Sequence, residues 1–250
     1  MFDSLLISLS SVSWRAAGAH QLWMAAAVTV AFAALARLLR GVSNGGALAG
    51  AAVCFLIYLG SGPAGLLALV SVFFLTWITT RFGYRRKQKL GIAEKPGGRR
   101  APQVLANLTI AALCALLHRL SPGHTIYLLG IAAALSEAAA DTVSSEIGKA
   151  STDQARLITN WKVVPAGADG GVSPFGTLAG LLAAGLVGSV CAIGGLIPWR
   201  WLGVSVTAAV GGMIADSYMG ASLERRRLLN NDLVNFLSTC VAVGIAWLLV

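Results

Sequence analysis

Residues 124–149 read HTIYLLGIAAALSEAAADTVSSEIGK. The run is apolar enough and long enough for a membrane-spanning helix, which needs about 20 mostly apolar residues. It nevertheless carries Glu137 and Asp141, and a carboxylate near the centre of such a helix costs about 2.5–3.5 kcal/mol on insertion scales. Turning the carboxylates away from lipid meets that cost. Glu137, Asp141, Ser144, Ser145 and Gly148 recur at spacings of three and four, so they share one face. That face is predicted to point into a helical bundle, either as a hydrogen-bonding stripe between helices or as the wall of a polar site. Glu146 stands about 140° from Asp141 on a regular helix and joins the face only if the helix ends or unwinds there.

Comparable apolar runs cover approximately 20–40, 46–62, 63–80, 103–120, 175–197 and 201–222, with a further one from 232 to the C-terminus. The second and third are short and share the turn Gly60-Ser61-Gly62-Pro63. The expected fold is all-α: one polytopic integral membrane bundle over residues 1–250 with about seven or eight transmembrane helices. A chain that is 56% hydrophobic and 12% charged does not fit a water-soluble domain, in which about a quarter of residues are charged. Residues 1–19 are predicted to form an interfacial helix, since Leu5, Leu6, Leu9 and Val12 are helically spaced. A cleaved signal is the rival there, although no cation precedes the apolar part.

Nineteen Lys and Arg against ten Asp and Glu give a net charge of +9. When the loops are assigned alternately to two sides, sixteen cations fall on one side, and Arg15, Arg119 and Arg200 on the other. That asymmetry predicts a cytoplasmic basic side with both termini opposite, and explains the charge without a nucleic-acid partner. All acidic residues except Asp3 also fall on the basic side, although acidic charge has little influence on orientation. A polar active site at the cytoplasmic end is the expected reason. The four cysteines lie inside apolar runs, as small buried residues do.

Asp216 places a second carboxylate in a different span. Carboxylates on separate helices with hydroxyls nearby suit Mg²⁺, which is held by one or two carboxylates and completed by phosphate oxygens and water. A cation path through a transporter would use the same residues. Asp141, Glu146 and Asp216 are the candidate metal ligands, and Lys149 is the cation nearest to them in sequence.

The segment Ala166-Gly-Ala-Asp-Gly-Gly-Val-Ser-Pro-Phe-Gly-Thr177 is a loop leading into a helix, with Ser173 as N-cap and Pro174 at the first helical position. Asp169, Gly170, Gly171, Ser173 and Thr177 mark it as a phosphate cradle built on backbone N–H groups and the positive helix end. Ser43-Asn-Gly-Gly-Ala-Leu-Ala-Gly50 echoes it, which suggests an internal duplication. Farther along, Lys95-Pro-Gly-Gly-Arg-Arg-Ala-Pro-Gln-Val-Leu-Ala-Asn107 carries a basic glycine turn into a span. Arg100, Gln103 and Asn107 are predicted to share a face there and to donate to phosphate or a nucleobase edge. Arg225 is a further candidate phosphate partner.

Four blocks, Arg99–Asn107, Asp141–Gly148, Gly170–Thr177 and Asp216–Ala221, resemble the integral membrane family that contains plant phytyl-phosphate kinase and transmembrane protein 19. A more distant likeness runs to CTP-dependent membrane cytidylyltransferases and dolichol kinases, whose Ser-Pro-x-x-Thr segment looks like Ser173–Thr177. The resemblance implies a CTP- and Mg²⁺-dependent phosphotransferase that acts on an isoprenoid phosphate among membrane lipids. On that reading a prenyl monophosphate becomes the diphosphate, with Asp141, Glu146, Asp216 and Lys149 catalytic. A cytidylyltransferase that releases pyrophosphate, or a transporter without covalent chemistry, is the alternative.

Overall fold

The computed structural model describes residues 19–250. The N-terminal stretch predicted to form an interfacial helix lies outside them. The helices are α1 (Ala19–Leu38), α2 (Asn44–Arg81), the short α3 (Tyr84–Lys89), α4 (Ala101–Leu120), α5 (Ile126–Ser151), α6 (Pro174–Ile193), α7 (Leu202–Met219) and α8 (Asn231–Leu248). Among the described residues, seven helices are long and apolar enough to cross a membrane, all of these except α3.

α2 is two helices in one. Gly62, at φ 62° and ψ −153°, interrupts it just before Pro63, and only glycine enters that region without strain. A straight helix of 38 residues would be about 57 Å long. Instead Trp77 Nε1 donates to the Leu39 carbonyl at 3.0 Å, and Arg81 donates to the same oxygen at 2.6 Å, beside the start of α2. Segments 44–61 and 63–81 therefore run antiparallel, as the two expected short spans, and among the described residues eight segments pass between the two ends of the bundle. One end gathers the connections 82–100, 152–173 and 220–230. The other holds the Gly62 break and the turns at 121–125 and 194–198.

α5 is the central helix, and every residue from Leu129 to Ala140 is buried. Six of these twelve are alanine, and such small residues let neighbouring helices approach closely where no hydrophobic drive between helices exists. The same logic holds elsewhere. Gly60 lies against the Ala115 backbone of α4, and a Cβ at Gly180 of α6 would stand 2.8 Å from the Ala140 carbonyl. Outward, α6 exposes Leu178, Leu182 and Ile193, the apolar surface that lipid covers. Cys54, Cys114 and Cys191 are buried, and all four cysteines are free.

The connection from α5 to α6 adds a feature not foreseen, a small antiparallel sheet. It comprises β1 (Gln154–Leu157), β2 (Val163–Pro165) and β3 (Gly171–Val172), ordered β2-β1-β3. Val163 and Val164 favour strand, but three strands of at most four residues leave the all-α class unchanged. The sheet ends the glycine loop on β3 and delivers the chain directly to the start of α6.

Candidate active site

Asp141 of α5 and Asp216 of α7 face each other at the end of the bundle that carries the long connections, with their carboxyl groups within hydrogen-bonding reach. Asn235 of α8 completes the link: with its nitrogen turned inward it donates to Asp216 Oδ2 at 3.1 Å, and its oxygen accepts from Asn107 Nδ2 of α4 at 3.2 Å. Asn107 also donates to the Gln103 carbonyl at 2.8 Å. Four helices thus meet through one polar chain. Behind it, Glu137 is 1% exposed with Oε1 unpartnered. Gly212 of α7 makes room for it, since a Cβ there would lie 2.6 Å from Glu137 Cγ.

The glycine loop covers this pair. Gly167 and Gly170 have φ of 79° and 72°, and Gly170 packs directly on the backbone of Ala221 in the π-helical turn Gly220–Glu224 after α7. Ser173 Oγ accepts from the Gly176 N–H at 3.2 Å and Pro174 begins α6, as the capping pattern predicts. Ser43 caps α2 in the same way, accepting from Gly46 at 3.1 Å, so the echo between the two segments includes the cap geometry. Beneath the loop lies a pocket of about 170 Å³, lined among others by Asp141, Ser145, Lys149, Asp169, Gly171 and Asp216. A second polar pocket shares Asp141, Ser145, Lys149 and Asn231 with it and adds Arg99, Gln103, Asn107 and Asn235. The cations beside Asp141 are Lys149 and Arg99.

Several expected residues stand elsewhere. α5 remains regular to Ser151, so Glu146 stands about 140° around the helix from Asp141, outside the pocket that Asp216 lines but in the wall of the second polar pocket. Its Oε2 accepts from Lys87 Nζ at 2.5 Å, and its Oε1 from Lys149 at 3.5 Å. Among the described residues no three His, Cys, Asp or Glu side chains are grouped to hold a metal ion, so the set Asp141, Glu146 and Asp216 is not assembled. The donor set that is present is two carboxylates, the number Mg²⁺ takes when phosphate and water fill its remaining positions. Thr177 is exposed one turn into α6, on an outer groove with Trp161 and Phe175. Arg100 is the extended N-cap of α4, its backbone N–H taken by Gln103 Oε1 at 2.8 Å and its side chain outside both polar pockets. Arg225 is exposed and lines neither.

Arg99 takes the place expected of Arg100. It is bridged to Val42 in extended form, and its Nη2 lies 3.2 Å from Thr142 Oγ1 of α5. Adjacent residues in extended chain point opposite ways, so Arg100 outward means Arg99 inward. Asn231 and Asn235 also line the site, although the sequence motifs do not single them out. Two amides one turn apart at the start of a span are the available signal.

A family model described as integral membrane protein DUF92 matches residues 27–243. The chloroplastic protein VTE6 of Arabidopsis thaliana is 33% identical over 98% of this chain and 74% of its own length. An uncharacterized membrane protein of Synechocystis sp. is 39% identical over 76% of this chain and 77% of its own. Another, of Methanocaldococcus jannaschii, is 34% identical over 81% and 83%. No solved structure matches the chain. With the family match running along nearly all of the described apolar segments, the chain belongs to the integral membrane DUF92 family.

Proposed function

We propose that the protein is a CTP-dependent prenyl-phosphate kinase whose active site faces the cytoplasm. The observation that carries this reading is the pairing of Asp141 and Asp216 beneath a glycine loop with Lys149 beside them. The resemblance to the family containing phytyl-phosphate kinase supplies the substrate class. The basic loops at this end support the sidedness.

In the reaction, an oxygen of the lipid monophosphate attacks the terminal phosphorus of CTP. The bond from that phosphorus to the bridging oxygen breaks, and CDP leaves with the electron pair. The acceptor oxygen is already ionised near neutral pH, so no strong general base is needed, and catalysis is positioning plus charge neutralisation. The Gly170 N–H and the N-terminus of α6 receive the donor phosphates, while the Gly171 N–H is held by the Ala168 carbonyl at 2.9 Å and keeps the loop in shape. Lys149 and Arg99 neutralise charge on either side of Asp141. Asn235 and Asn107 hold Asp216 in register. Mg²⁺, bound by Asp141 and Asp216, would supply the electrostatic stabilisation of charge on the transferring phosphoryl group.

The test is incubation of the purified, detergent-solubilised protein with CTP, Mg²⁺ and phytyl monophosphate. Release of CDP with formation of phytyl diphosphate is the expected result. Pyrophosphate together with a CMP-lipid would replace the kinase by a cytidylyltransferase. Asp141→Asn and Asp216→Asn should each abolish turnover while the protein stays folded and inserted; full activity in either would remove that residue from the mechanism.

A further inference from the structure

An apolar slot runs from the polar pocket into the bundle between α1, α2 and α4. Phe32, Ala36, Gly50, Val72, Val104 and Leu108 form its walls, and Arg99, Gln103 and Asn107 close its polar end. Those three residues also line the pocket that contains Asp141 and Lys149. Arg99 further reaches a mouth between Arg40, Arg81 and Lys95, whose other walls include Trp77 and Tyr84. Through these shared walls the slot adjoins, at one end, a carboxylate site and a cluster of cations.

Its width is set by missing side chains. The nearest atom to a Cβ built at Gly50 is Val104 Cγ1 at 3.9 Å, so a larger side chain there would grow into free space. Ala33, Ala47 and Ala138 keep other walls low. The free volume is about 70 Å³, narrow enough to admit only the first few carbons of one chain and not two side by side. Apolar walls select a hydrocarbon, narrowness selects a single chain, and the cationic end selects an anionic head group.

We infer that this slot holds the first part of the chain of a single-chain lipid monophosphate, with the phosphate held at Arg99 and Gln103 beside Asp141. The assignment rests on the kinase reading for the reaction that follows, and it adds where the acceptor enters and why a two-tailed lipid phosphate is refused. The tail is enclosed by α1, α2 and α4 rather than laid against the outer face of α6.

The experiment reads binding without nucleotide, so it stands or falls separately from the kinase. A farnesyl monophosphate with a photoreactive diazirine on the isoprene unit next to the phosphate is irradiated with the unmodified protein, and labelled peptides are mapped. Label concentrated in 44–61 and 101–108 is expected, competed by unlabelled farnesyl monophosphate and not by phosphatidic acid. Gly50→Leu and, as a second variant, Ala47→Leu should each lower that labelling at least about tenfold, the effect of about 1.4 kcal/mol, while thermal stability in detergent marks which variant is folded. Label on the outer face of α6, equal competition by phosphatidic acid, or undiminished labelling of a folded Gly50→Leu or Ala47→Leu protein would overturn the inference. Failure to form CDP with the expected labelling pattern intact would overturn the kinase instead.

Discussion

Lys87 has no solvent exposure at all, and replacing it with methionine should destabilise the protein by about 3 kcal/mol. The ammonium donates to the Thr79 carbonyl at 3.1 Å, the Thr80 carbonyl at 2.8 Å and Glu146 Oε2 at 2.5 Å. The two carbonyls belong to the last turn of α2, where a cation also meets the negative end of the helix dipole. Methionine preserves the volume of the buried stem, so the loss is electrostatic. Removing one partner of a buried ion pair costs about 3–5 kcal/mol because the other charge is left uncompensated. Lys149 remains 3.5 Å from Glu146 Oε1 and relieves part of that loss, which places the value at the lower end. At about 2–4 °C per kcal/mol, the midpoint falls by about 6–12 °C. The assay is heating in detergent with a thiol-reactive fluorophore that reports exposure of the buried cysteines. In the double variant Lys87→Met/Glu146→Leu neither charge remains, so it should be more stable than the sum of the two single changes by about 1–3 kcal/mol. A Lys87→Met midpoint within 2 °C of the parent, or strict additivity in the double variant, would refute the argument. Glu146→Gln should destabilise the protein in the same way, because its carboxylate is the shared acceptor of Lys87 and Lys149.

Other changes separate neighbours that look alike. Arg99→Gln should reduce turnover of a lipid phosphate by about 10–150-fold, the loss of one charge-assisted hydrogen bond of about 1.5–3 kcal/mol. Arg100→Gln should stay within about twofold, as expected of an exposed side chain; equal effects in steady-state assays would reject the placement of these two side chains. Gly91 and Gly170 share a φ of 72°, yet a Cβ at Gly91 meets nothing within 4 Å while one at Gly170 runs into the Ala221 backbone. Gly91→Ala should therefore lose only the left-handed strain of about 1–2 kcal/mol, and Gly170→Ala should lose more and also lose activity. Equal melting midpoints would show that the loop does not depend on that contact.

What could be read from the sequence was what depends on neighbours along the chain. The helical spacing of Asp141 with Ser144, Ser145 and Gly148, the Ser173 cap followed by Pro174, and the break at Gly60–Pro63 are local consequences of helix geometry. The residues that stand elsewhere depend on rotation about an axis or on pairing across the fold. Glu146 lies on the same helix as Asp141 but about 140° around it, and only the arrival of α3 with Lys87 decides its partner. Thr177 follows Ser173 by one turn and yet opens outward, because Ser173 Oγ is turned back to cap the helix. The choice between Arg99 and Arg100 rests on the bridge from Arg99 to Val42, which lies 57 residues away in sequence. Asn235 needed the opposing Asn107 and Asp216 before its amide had a purpose.

The placement of the polar chain explains why such a hydrophobic protein can keep these groups inside. A carboxylate in the middle of a span would face hydrocarbon, where neither water nor a counter-charge is available. Asp141, on the half of α5 nearer the long connections, and Asp216, in the last turn of α7, instead sit half-buried with amides of α4 and α8 on one side and the glycine loop on the other. Glu137, one turn deeper on the same face of α5, has no such access and leaves an oxygen without a partner. The boundary between a solvated site and an apolar core therefore falls within one helical turn, between residues 137 and 141. Arg99, Gln103 and Asn107 line the same polar pocket as Asp141, where the slot begins. A substrate with a charged head and one apolar tail can span that boundary without moving either part into the wrong medium. In the proposed reaction the phosphate thus reaches the carboxylates while the tail remains in hydrocarbon-like surroundings.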